Sequence, residues 1–118
     1  MPTLNRLAVH RFPDAIMQLI QLLLPVADNQ GVPFPRETFL AVRDELTGRF
    51  GGLTAFTQAP AEGLWRDEDD RVAYDAIVIF EVMAEELDRG YWSAYRRYLE
   101  ATFRQDRIII RAAPTELL

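Results

Sequence analysis

Apolar positions change their spacing several times along this chain, and each change marks an element. Ile16 to Pro25 (IMQLIQLLLP) is a short, dense apolar run bounded by prolines. Ile16, Leu19, Ile20 and Leu23 also fit helical spacing. Gln18 and Gln21, however, interrupt the run on opposite faces of an extended chain, and a buried strand is the expectation. Asp28-Asn29-Gln30-Gly31 supplies the turn that follows. From Pro35 or Arg36 the period becomes helical: Phe39, Val42, Leu46 and Phe50 recur on one side, with Arg36, Glu37, Arg43, Asp44 and Arg49 on the other. Gly51-Gly52 ends that helix, because a helix C-terminus favours a residue with positive φ.

Leu53 to Gln58 (LTAFTQ) reads as a second strand, followed by a loop through Pro60 to Gly63-Leu64-Trp65. Val72 to Met83 (VAYDAIVIFEVM) is the strongest strand in the chain. Asp88 caps a second helix with an apolar stripe of Trp92, Tyr95, Leu99 and Phe103. Ile108 to Arg111 closes the fold as a short strand before a tail at Pro114. The order is βαββαβ. It predicts an α+β, ferredoxin-like domain, with an antiparallel four-stranded sheet and two helices on one face. One domain spans residues 1–118, with 1–15 as a lead-in and 16–112 as the core.

Two helices cover one side of such a sheet, so the other side decides how the protein associates. Alternation puts Val72, Tyr74, Ala76, Val78, Phe80 and Val82 on one face of the long strand, and Ala73, Asp75, Ile77, Ile79, Glu81 and Met83 on the other. Met17, Leu19, Gln21 and Leu23 of the first strand, with Ile109 and Arg111 of the last, extend the second set. An apolar centre ringed by Gln21, Asp75, Glu81 and Arg111 is too apolar for a solvated face. A sheet-mediated homodimer burying about 800 Å² per subunit is the expected answer. The competing expectation is a monomer whose N-terminal segment lies across the sheet.

Composition narrows the function. The 118 residues carry a net charge of −5, and all 13 basic residues are arginine. An acidic balance excludes general nucleic-acid binding, which needs a basic surface. There is no cysteine, which removes disulfides, thiolate nucleophiles and Cys-based zinc sites. The chain is expected to be cytoplasmic: residues 1–12 hold no apolar signal segment, and Ile16 to Ala27 is too short to span a bilayer. No cofactor, metal or membrane partner is predicted.

Candidate chemistry is sparse. His10 stands alone in the lead-in, without the partners a catalytic base needs. Asp67-Glu68-Asp69-Asp70 lacks the ligand spacing of a calcium loop and reads as a hydrated connection. A carboxylate projecting from a strand into an apolar interface is a better proton acceptor than one in water, which makes Asp75 and Glu81 the candidate catalytic bases. Arg111 or Tyr74 would then orient an anion. Gly52, Thr54 and Trp65 are the candidate wall of a small pocket at one end of the sheet. Gly52 would permit close approach, and a glycine before Trp65 would form a bulge.

Phe50-Gly51-Gly52-Leu53-Thr54, with Gly63-Leu64-Trp65 downstream, resembles a family of small uncharacterised bacterial proteins. Its members share F-G-G-x-T and G-x-W between the first helix and the third strand. Trp92 and Tyr95 fit the same outline, over residues 16 to 112. The resemblance implies a subunit akin to the dimeric α+β barrels and carries no catalytic residue. Three functions follow as expectations. The first is a homodimer binding a small molecule at the sheet face, through Gly52, Thr54, Trp65, Tyr74 and Arg111. The others are a cofactor-independent enzyme of the dimeric-barrel type acting on a small hydrophobic or aromatic substrate, and a structural protein-interaction module.

Overall fold

A computed structural model describes residues 16–66 and 72–118, with backbone alone for 57–66 and 72–75. The first apolar run is a strand, β1 (Ile16–Pro25). Its residues bury on both sides. Ile20, Leu22 and Leu24 are fully buried in the main core, while on the opposite face Met17 is buried and Leu19 and Leu23 are half-buried. Helix α1 (Arg36–Phe50) follows Pro35 and ends at Gly51, whose φ of 81° lets its N–H bond Thr47 O at 2.9 Å. Strands β2 (Thr54–Arg66) and β3 (Val72–Ala84), helix α2 (Arg89–Thr102) and strand β4 (Ile109–Glu116) complete the order.

The strands form one antiparallel sheet in the order β2-β3-β1-β4, the ferredoxin-like arrangement. Both helices pack on one face. Val42 and Leu46 of α1 and Trp92, Tyr95 and Leu99 of α2 meet Ile20, Leu22, Leu24, Val78, Phe80 and Val82 of the sheet. Asp88 caps α2 by accepting the Tyr91 N–H at 3.0 Å. The far end of α2 closes without glycine. Arg104 takes φ 51°, and the Gln105 N–H reaches back to Glu100 O at 2.9 Å. Glu100 ties the helix to the next strand, accepting the Ile108 N–H at 3.0 Å and Arg96 Nη1 at 2.8 Å. The Ile108 N–H first, and Arg96 after it, hold this carboxyl below the usual carboxylate range.

Three sequence expectations need correction. The second strand does not give way to a loop at Pro60 but runs to Arg66, absorbing the proline in a register shift between Phe56 and Ala61. Pairing is regular through Gly63, Leu64 and Trp65, so the irregularity lies before those residues rather than at Gly63. The last strand does not stop before Pro114. It continues to Glu116 with Pro114 opposite Gln18, which an edge strand permits because one side of its backbone has no ladder partner. His10 and the Asp67–Asp70 run lie outside the described residues.

Candidate functional site

Strand register places the open face in rows. Residues directly opposite in an antiparallel pair project to the same side. Thr54 pairs with Glu81, Glu81 with Gln21, and Gln21 with Arg111, so one row crosses all four strands. Three of its side chains are joined. Arg111 Nε donates to Gln21 Oε1 at 2.8 Å, and Gln21 Nε2 donates to Glu81 Oε1 at 2.7 Å. The amide is suited to the middle position because it carries an acceptor for the guanidinium and a donor for the carboxylate.

Apolar rows flank this polar one. Phe56, Ile79, Leu23 and Ile109 stand on one side, with Met83, Leu19 and Ala113 on the other. Ile109 is 50% exposed and Phe56 49%, while Leu19, Leu23, Ile79 and Met83 are half-buried. An acid–amide–base chain therefore runs through a face that is otherwise apolar.

Among the sequence-predicted site residues, Thr54, Glu81 and Arg111 come together in that row. The others do not join them. Trp65 pairs with Ala73 and Tyr74 with Leu64, at the opposite end of β3 from the Thr54–Glu81 pair. Along β3, Ala73 and Tyr74 stand eight and seven residues from Glu81, about 23–26 Å away. The proposed wall of Gly52, Thr54 and Trp65 is thus not assembled within one chain. Asp75, opposite Gly63, stands six residues from Glu81, about 20 Å along β3, so the two carboxylates do not share a site within one chain. Gly52 is exposed, and a Cβ there would meet nothing within 4 Å. Among the described residues, no other part of the chain approaches it closely.

No family profile matches the sequence, and no curated protein matches it. Solved structures do. The divalent cation tolerance protein Cut A1 from Thermus thermophilus superimposes with a TM-score of 0.58 at 10% identity, covering 86% of each chain. CutA1 from Oryza sativa gives 0.58 at 10%, covering 88% of this chain and 84% of that one. A phage SAM lyase in complex with S-methyl-5'-thioadenosine gives 0.57 at 12%, covering 92% and 95%. The likeness is one of fold.

Alternation alone puts Gln21 on the rim of this face, whereas the structure makes it the bridge. The signal existed in the even spacing of Leu19, Gln21 and Leu23, yet its partners depend on register, which a single sequence does not specify. No group of three or more His, Cys, Asp or Glu side chains suited to a metal occurs among the described residues. No described helix is long and apolar enough to cross a membrane.

Proposed function

We propose that this chain works as a homodimer, sheet against sheet, that holds a small polar molecule at the edge of the paired faces. The observation that carries the reading is the Glu81–Gln21–Arg111 row, because it is self-complementary. A twofold axis lying between the sheets and along β1 sets β3 of one copy over β4 of the other. Each Glu81 then meets Arg111 of the partner subunit. An axis across the strands would instead stack Glu81 on Glu81, which like-charge repulsion disfavours. The first arrangement also opposes Ile79 to Ile109 and the larger Met83 to the smaller Ala113. Sheets packed this way keep their strands nearly aligned, about 10 Å apart.

Under that axis β2 overhangs, since no partner strand lies opposite it. Thr54, Phe56 and Glu81 then rim an opening beside Arg111 of the partner subunit. A ligand there would offer a hydrogen-bond donor to the carboxylate and an apolar side to Phe56.

Cross-linking tests the pairing. The chain has no native cysteine, and Leu23 would lie near the axis, so Leu23→Cys treated with a short bis-maleimide is expected to yield a covalent dimer. Arg97→Cys, on the helix side, serves as the control. Equal, slow cross-linking of both variants would contradict the paired faces, and shielding of Leu23→Cys in a monomer would assign the cover to residues 1–15.

A further inference from the structure

The helix side carries a second concavity that the paired sheets would leave open. Between α2 and the β1–β4 edge lies a groove of about 560 Å³, within the range of small-molecule sites. Its helical wall presents Arg89, Ser93 and Arg96, at positions i, i+4 and i+7 of α2 and so on one face. Its floor is apolar, with Ile20 fully buried and Trp92 nearly so. Trp92 is fixed from behind by Phe50, stacked on it at 5.3 Å. Ile110, Ala112 and Pro114 form the sheet-side wall, and Gln18 adds an amide.

Charge sets the choice of ligand. Acidic residues outnumber basic ones 18 to 13 in this chain, yet none of the residues lining the groove is acidic. Carboxylates close in sequence to the lining include Glu86 beside Leu87, Asp88 beside Arg89, Glu100 one turn from Arg96 and Glu116 two residues beyond Pro114. Asp88 accepts the Tyr91 N–H and lies 3.7 Å from Arg49, and Glu100 is occupied by Arg96 and the Ile108 N–H. Arg96 uses Nη1 on Glu100 and keeps further N–H donors, because a guanidinium carries five. Arg111 borders the groove but sends its Nε to Gln21 on the other face.

We propose that this groove binds a small organic anion, its carboxylate or phosphate held by Arg89 with Ser93 and Arg96, and its apolar body laid over Trp92, Ile110 and Pro114. Guanidinium groups suit such oxyanions through paired N–H donors. The bare anion would lack the apolar contact, and the bare hydrocarbon the charge, so binding requires both parts.

Amide NMR shifts test this on the full chain with 4-tert-butylbenzoate as the probe. Saturable shifts centred on Gln18, Ser93, Ile110 and Ala112 are expected, with the neutral 4-tert-butylbenzamide and inorganic phosphate each binding at least about 10-fold more weakly. Arg89→Gln, an exposed substitution that leaves the fold and the open sheet face untouched, is expected to weaken the benzoate about 5- to 10-fold, and Arg89→Lys less. Equal affinity for acid and amide, indifference to Arg89→Gln, or shifts that map outside the groove would overturn the proposal. Because Arg89 lies on the helix side, none of these outcomes depends on the dimer.

Discussion

Arg111→Glu is expected to raise the dimer dissociation constant about 100-fold or more. The proposed twofold arrangement would make the Glu81–Arg111 contact twice, so one substitution would convert two attractions into two repulsions. Each needs to shift by only about 1.4 kcal/mol to reach that factor, less than truncating one partner of a desolvated charge pair usually costs. Within the chain the same change breaks the 2.8 Å bond from Arg111 to Gln21, but both groups can turn to water in the monomer. Glu81→Arg alone is expected to act similarly. The double exchange is the sharper experiment. With acid and base swapped, Gln21 turns its amide over and bridges them again, and dimerisation is expected to recover to within about 10-fold of the original. Sedimentation velocity across a concentration series reads all three variants. A double exchange as weak as the single ones would mean that the row does not meet its own copy.

Phe103→Ala is expected to cost about 3–5 kcal/mol, a fifth or more of the stability of a typical domain. Phe103 is fully buried where α2 ends, edge-on to Phe34 at 4.9 Å and 5.5 Å from Phe39. Its ring therefore joins the end of α2, the start of α1 and the segment before it. The turn carries its own constraint, since Arg104 holds the positive φ that directs the chain into β4 while lying 3.4 Å from Asp28 and 5.1 Å from the Phe34 ring. A melting temperature lower by roughly 12–20 °C is the expected reading. Tyr98→Ala, on the same helix but 59% exposed, is expected to cost less than about 1 kcal/mol. Comparable losses in the two variants would contradict this placement of the core.

Much of the architecture can be read from local chemistry. Gly51-Gly52 announces the end of α1, Asp88 announces the start of α2, and the alternation in β3 separates Val78, Phe80 and Val82 from Ile77, Ile79 and Glu81. The failures occur where long-range pairing overrules a local signal. Pro60 and Pro114 both look like stops. One is absorbed because β2 advances five residues while β3 advances two, and the other because β4 is an edge strand. Arg104 in a left-handed turn carries no sequence mark, since tertiary partners rather than a glycine hold it.

The candidate site was legible residue by residue but not as an arrangement. Glu81, Arg111 and Thr54 can each be selected from the sequence, yet their common row follows only from the register that sets Gln21 between them. Register likewise separates Trp65, Tyr74 and Asp75 from that row. The groove beside α2 lies further still from local inference, because it depends on where a helix crosses a sheet edge.

How this protein associates turns on what covers the open face. Sedimentation equilibrium of the unmodified chain at micromolar concentration addresses this directly. The paired-sheet arrangement requires a species of twice 13.6 kDa that dissociates on dilution. A single species of 13.6 kDa at every concentration would contradict it.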